Sequence, residues 1–205
     1  MIVTISRAYG AGAHDIAELV AQRLGYRLAD AELPVVVAAR LGTTSDVVES
    51  VAEREPSFGE RVMQQLGGGI PETSQPGATT EDDFSVETRR AIEVAVREIA
   101  AGGDAIVIGR MASAILGARP DVLRVFLHAP LAWRVAHVAH SLGVGEAVAR
   151  DEVARVDEAR RRYAKEHYRV AWGDPRNYDL VLDTSRFGAT GSAEVIVAAV
   201  RAASA

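Results

Sequence analysis

The chain has 205 residues, 48% of them hydrophobic, and a formal net charge of −5. That length suits one domain, with or without a mobile flap, and is enough to bury a core. The acidic balance argues against nucleic-acid partners, the lack of cysteine excludes disulfides and thiolate metal sites, and no apolar run or leader pattern is visible, so a cytoplasmic protein without membrane partners is expected.

In chain order, Ile2–Ser6 reads as a short buried strand, followed by the glycine-rich turn Arg7-Ala8-Tyr9-Gly10-Ala11-Gly12-Ala13-His14-Asp15 and a helix over Ile16–Leu24. Helices are predicted at Asp30–Leu41 and Ser45–Glu53. The stretch Gly67–Asp83, rich in Gly, Pro and Thr and without periodicity, reads as a mobile flap or disordered connection. A helix over Ser85–Ala101 leads to a strand, Ala105–Ile108, and then Gly109-Arg110. A further strand, Val122–Leu127, precedes helices at Ala132–Ser141 and Val144–Tyr168. The last strand is Tyr178–Leu182, before Asp183-Thr184-Ser185, and the last helix is Ala193–Ala203. Short β-branched runs bounded by Gly, Pro or Asp and alternating with helices argue for a parallel α/β sheet.

Strand, glycine loop and helix form the layout of a phosphate-binding loop. Its glycines let backbone N–H groups face an anion, and the helix N-terminus adds partial positive charge. Gly10 and Gly12 would equally serve a tight turn. A Walker A loop ends in Gly-Lys-Ser/Thr, but here Ala13 follows Gly12, and Asp15 replaces the hydroxyl residue that holds Mg²⁺. Asp15 reads either as a helix N-cap or first-turn acid, or as a Mg²⁺ ligand. Of 23 Lys and Arg residues only Lys165 is lysine. A GC-rich genome explains that bias, yet any phosphate clamp has to be built from Arg, His or backbone. The candidate donor site is therefore Ser6, Arg7, Tyr9, Gly10, Ala11, Gly12, Ala13, His14 and Asp15.

Gly109-Arg110 follows a predicted strand, at the edge where open parallel sheets bind ligands. An arginine there can grip phosphate bidentately, or simply face solvent. The segment 153–172 is dense in arginine. Asp157 and Arg160 share a helix face and read either as a plain i,i+3 ion pair or as part of a lid. In a lid, Arg160, Arg161 and Arg162 would be catalytic, neutralising charge on a transferring phosphoryl group.

Several segments together resemble the cytidylate kinase-like family, relatives of the nucleoside monophosphate kinases. They are Thr4-Ile5-Ser6-Arg7 with Tyr9-Gly10-Ala11-Gly12, Ile106–Arg110, Arg119–Phe126, Val156-Asp157 with Arg160 and Tyr163, Trp172-Gly173-Asp174-Pro175, and Tyr178-Asp179-Leu180 with Asp183–Arg186. The resemblance runs from Ile2 to about Ile196 and is weakest over 67–83. It implies a single domain with a three-layer P-loop kinase-like fold: a parallel central sheet, helices on both faces, a mobile flap over about 31–84 and an arginine-rich lid over about 153–172. It also implies that Gly10 and Gly12 belong to the donor phosphate loop. Arg110, Asp157 and Arg160 would contact the acceptor, and Asp30 would open the monophosphate-binding segment. The departures are Ala13 for the lysine, Ile108 for a carboxylate near the metal, Met111 for an acid that reads cytosine, and Ala31 and Val36 for a serine and an arginine of the acceptor site.

Three functions fit these residues. The first is an ATP- and Mg²⁺-dependent phosphotransferase acting on a nucleotide or similar small phosphorylated acceptor. The second is a nucleotide-binding regulatory module without turnover, since a missing lysine acts most in the transition state. The third is a kinase of a non-nucleotide metabolite. Homo-oligomerisation stays open.

Overall fold

Every residue from Ile2 to Ser6 is buried, so this strand is covered on both faces instead of alternating between core and solvent. It is the centre of a five-stranded sheet. The computed structural model describes residues 1–29, 37–38, 40–42 and 81–204, of 81–85 the backbone alone. The strands are β1 (Ile2–Arg7), β2 (Arg27–Leu28), β3 (Ala105–Ile108), β4 (Val122–His128) and β5 (Leu180–Asp183). Their order is β2-β3-β1-β4-β5, with every pairing parallel. Ile5 sits opposite Ile108 on one side of β1, and Arg7 opposite Leu127 on the other. The chain steps from β1 outward in one direction and later returns on the opposite side. The order thus reverses at β1, and its C-terminal end is the switch point where such sheets bind ligands.

The chain divides into two compact units, Met1–Ala31 with Val96–Ala205 and Glu32–Ala95. The first holds the whole sheet. There, α1 (Ala13–Leu24) and the last helix, α6 (Thr184–Ala203), cover one face. Ile16, Ala17 and Val20 of α1 and Ala193, Ile196, Val197 and Val200 of α6 pack on Val3, Ile5, Ile106, Val125 and Leu127. Each Ile, Val or Leu among them contributes about 1.5–3 kcal/mol by leaving water. The short helix α3 (Ala112–Leu116) lies against β1 and β4, while α4 (Leu131–Leu142) and α5 (Glu146–Tyr168) pack on each other through Val135, Val138, Ala149 and Val153. In the second unit, residues 37–38 and 40–41 are helical, and helix α2 (Glu81–Ala101) runs from it into the first.

The α/β class and the parallel sheet stand as expected, and β1, β3 and most of β4 are buried, whereas β5 buries only Leu182. Two helix starts differ by four residues or more, and two short elements are unexpected. Helix α2 begins at Glu81, inside the stretch expected to be loop through Asp83, because Glu81, Asp82 and Asp83 suit a helix N-terminus. The last helix begins at Thr184, not Ala193. Asp183 caps it by accepting the Ser185 N–H at 3.0 Å, and the non-helical Gly188 interrupts it, which hides its start from periodicity. Strand β2 and helix α3, of two and five residues, are too short to show a period. Asp30, Ala31, Val36, the predicted helix Ser45–Glu53 and the expected flap up to residue 80 lie outside the described residues.

Candidate active site at the C-terminal edge of the sheet

The glycine loop leaves β1 through Ala8, whose N–H still bonds to Leu127 O at 2.9 Å. Gly10 and Gly12 then adopt φ of +81° and +71°, a region favoured by glycine. Their surroundings differ. A Cβ on Gly10 would meet Val138 Cγ2 at 2.8 Å and Arg134 O at 2.9 Å, so the loop rests directly on α4. Nothing lies within 4 Å of the corresponding position at Gly12. Gly12 is the N-cap of α1 and supplies no side-chain cap, which places His14 and the exposed Asp15 in the first turn, Asp15 not being the cap. His14 Nε2 lies 3.2 Å from Glu18.

The loop N–H groups are of two kinds, those bonded within the protein and those without an acceptor among the described residues. The Tyr9 N–H is taken by Asp157 Oδ1 at 2.8 Å, and that of Ala11 by Ala8 O at 3.2 Å. Among the described residues, the N–H groups of Gly10, Gly12, Ala13 and Asp15 have no protein acceptor. Backbone donors gathered at a helix N-terminus make an anion site.

Around the loop stand arginines with distinct roles. The Arg7 guanidinium lies against Gly109, where a Cβ would collide with it. Arg160 donates from Nη1 to Arg7 O at 3.1 Å and stacks over the Tyr9 ring at 5.6 Å. Arg134, on α4, bridges Tyr9 O at 2.9 Å and Asp157 Oδ2 at 2.7 Å from one nitrogen, while its Nε reaches Ala129 O. Asp157, on α5, is 5% exposed. It therefore engages the loop and Arg134, and the i,i+3 pair with Arg160 that the spacing allowed is not formed. Arg161 is exposed and pairs with Glu158, and Arg162 is exposed. Arg134 escaped the sequence reading because nothing distinguishes it there from the other arginines.

The edge after β3 is conformationally strained. Gly109, Arg110 and Met111 adopt φ of +68°, +51° and +53° in succession, before α3 starts. The two non-glycine residues each carry a cost of about 1–2 kcal/mol, a pattern that clusters at binding sites. Arg110 is half-buried, and among the described residues its side chain forms no hydrogen bond or ion pair. Beneath the loop, Ser6 Oγ lies 3.2 Å from Ser113 Oγ. Burial pushes the Tyr178 phenol up, against hydrogen bonds to its oxygen from Ser6 and the Gly173 N–H. Phe126 packs edge-on against Trp172 at 5.4 Å and against Tyr178 at 4.9 Å. Trp172-Gly173 thus seats the end of the expected lid segment on β4, and Asp174 caps the following turn. Its carboxyl is held at about 2 by Arg176.

No helix among the described residues is long and apolar enough to cross a membrane. They contain no group of three or more His, Asp or Glu side chains arranged to hold a metal ion.

The chain is 30% identical over 148 residues to a cytidylate kinase of Methanopyrus kandleri, covering 68% of this chain and 74% of that one. It is 26% identical to a cytidylate kinase of Methanothrix thermoacetophila, over 98% and 99% of the two chains. Among solved structures, an uncharacterized protein from Eubacterium ventriosum superposes with a TM-score of 0.68 at 18% identity, over 98% of both chains. A shikimate kinase from Bacteroides thetaiotaomicron does so with a TM-score of 0.52 at 12% identity, again over 98% of both, which shows a shared fold. The model of the cytidylate kinase-like family matches residues 2–186. With the glycine loop at the switch point of a parallel sheet, the chain belongs to the cytidylate kinase-like family, and its class is that of the P-loop kinases, phosphotransferases by chemistry.

Proposed function

We propose that this chain transfers a phosphoryl group from ATP, with Mg²⁺, to a nucleotide or similar small phosphorylated acceptor. The observation that carries the reading is the set of four unclaimed N–H groups, of Gly10, Gly12, Ala13 and Asp15, at the N-terminus of α1. They fit a polyphosphate: orphaned donors aimed from a helix N-terminus, with arginine cations near by. The fit to Mg²⁺ is narrower. Asp15 is the carboxylate in the loop's first helical turn, and Mg²⁺ is commonly held by one or two carboxylates together with substrate phosphates. Bound at this loop, ATP with Mg²⁺ would supply the transferable phosphoryl group and neutralise charge on it.

The chain's own residues then divide the work. The four N–H groups and the helix dipole hold the donor phosphates in the place where Ala13 leaves no lysine. Arg7 and Arg160 add positive charge at the mouth, Arg160 braced against Tyr9 and the Arg7 carbonyl. Arg110, strained and unpaired among the described residues, receives the acceptor's anion in a bidentate grip. Arg161 and Arg162, exposed on α5, come over the site if the segment beyond Arg160 moves as a lid. Catalysis of this kind is positioning plus charge stabilisation. Asp30 completes the acceptor segment in this reading, and the family's cytidylate kinases suggest a nucleoside monophosphate as the first acceptor to try.

The test is to mix the purified chain with ATP, Mg²⁺ and a panel of nucleoside monophosphates and to follow ADP. Acceptor-dependent ADP is expected. Nucleotide binding with no ADP for any acceptor would favour the second reading, a nucleotide-binding module, which Ala13 and Asp15 in place of lysine and hydroxyl support.

A further inference from the structure

The glycine loop is held from outside itself. Asp157 of α5 and Arg134 of α4 grip the backbone on both sides of one residue, Tyr9. Asp157 accepts the Tyr9 N–H, Arg134 donates to the Tyr9 carbonyl, and the two side chains close the ring through a 2.7 Å contact. The partners lie 148 and 125 positions from Tyr9 in sequence. Both side chains are nearly buried, at 12% for Arg134 and 8% for Asp157. The adjoining Gly10 lies so close to α4 that it leaves no room for a Cβ. We propose that Arg134 and Asp157 are positioning residues: they set the glycine loop in its phosphate-facing form, the task that falls to no lysine here. This rests on the donor-loop reading above.

Spending the Tyr9 N–H on a carboxylate removes that donor from the ligand's reach and leaves those of Gly10, Gly12, Ala13 and Asp15 without an acceptor among the described residues. The pair also cancels its own charge, so its effect on a bound polyanion is geometric. Electrostatics alone would predict the opposite consequence of removing Asp157. Deleting a carboxylate beside an anion site, and freeing the arginine cation it neutralises, should tighten polyphosphate binding. Loss of loop position should weaken it. The sign of the change therefore discriminates.

The experiment measures binding of ATP and of inorganic tripolyphosphate by calorimetry to the full chain and to Asp157→Ala, Asp157→Asn and Arg134→Lys. Thermal unfolding of each is followed alongside, and binding is measured well below every melting temperature. Asp157→Ala should weaken both ligands by about tenfold or more, the effect of losing a hydrogen bond to a charged group. Asp157→Asn keeps an acceptor oxygen for the Tyr9 N–H and should recover part of that loss. Asp157→Ala and Arg134→Lys should combine non-additively, because they disturb one ring of contacts. Unchanged or tighter binding by folded Asp157→Ala, with only its melting temperature lowered, overturns the positioning role. If Asp157→Ala does not fold, Arg134→Lys decides by the same criterion, weaker binding supporting the proposal and unchanged or tighter binding overturning it. A wild-type chain that binds neither ligand overturns the donor-loop reading itself, and this inference with it.

Discussion

The Arg7 guanidinium lies against Gly109, joining the end of β1 to the turn after β3 where a Cβ would have to displace it. Gly109 also has a φ of +68°. Gly109→Ala therefore meets a left-handed backbone cost of about 1–2 kcal/mol, while the Arg7 guanidinium, the far end of a flexible side chain, moves aside at little cost. Denaturant unfolding should show a loss of that order. Combining it with Arg7→Ala should leave that backbone cost nearly unchanged.

The two loop glycines should respond differently. Gly10→Ala collides with Val138 and Arg134 O and should lower both stability and nucleotide affinity. Gly12 has open space around it, so Gly12→Val strains only the backbone, yet its side chain would stand among the free N–H groups. Calorimetry should find ATP affinity reduced by about tenfold or more, with a smaller stability loss than for Gly10→Ala. Ala13→Lys should keep or strengthen ATP binding. A Gly12→Val chain that binds ATP like the parent would make the loop merely structural.

Arg110 couples strain to binding. Arg110→Gly should relieve a left-handed residue and raise unfolding stability by up to about 1 kcal/mol, while acceptor affinity falls. Arg110→Lys keeps the charge but loses the fork, so acceptor affinity should still drop. An unchanged acceptor affinity in Arg110→Lys would remove this residue from the site.

The arginine-rich end of α5 should respond to nucleotide. Ala149, Glu152, Val153 and Asp157 are buried in the first part of the helix and Ala164 alone beyond Arg160, among the described residues. Slowed hydrogen exchange on adding ATP and Mg²⁺ should therefore appear beyond Arg160, toward Trp172. Arg160→Ala or Arg161→Ala should depress turnover by about two powers of ten, or 2.7 kcal/mol of transition-state stabilisation. Stability should be nearly unchanged for the exposed Arg161. Identical exchange with and without saturating nucleotide would leave the lid without support.

Acid should loosen the β5 edge. Asp179 accepts three N–H groups of Arg124, from the backbone at 2.8 Å, Nε at 3.1 Å and Nη2 at 2.7 Å. Those hydrogen bonds hold its carboxyl below the usual carboxylate range. A depressed folded-state pKa means that the stabilisation is complete above the unfolded value, about 3.9, and disappears as pH falls through the folded one. Asp174, held at about 2 by Arg176, acts in the same direction. Stability measured from pH 6 down to pH 2 should fall below about pH 4, and Asp179→Asn should flatten part of that fall. Solvent screening keeps the Asp179 share near about 1 kcal/mol.

Local physics made much of this protein legible before any contact was known. Ile2–Ser6, Ala105–Ile108 and Val122–Leu127 are strands because short β-branched runs between turn residues have few other ways to be buried. Gly10 and Gly12 marked the loop because positive φ favours glycine there. Tertiary structure decided the rest. Which loop N–H groups remain for a ligand depends on Asp157 and Ala8 carbonyl acceptors that only the folded chain brings to Tyr9 and Ala11. The spacing of Asp157 and Arg160 allowed an ion pair along one helix. The fold instead turned Asp157 to Arg134 and Arg160 to Arg7, because partners on neighbouring elements compete with those three residues away. A single arginine among many, Arg134, acquired its role only when α4 came to rest on the glycine loop, a contact made by distance in space between residues that sequence keeps apart.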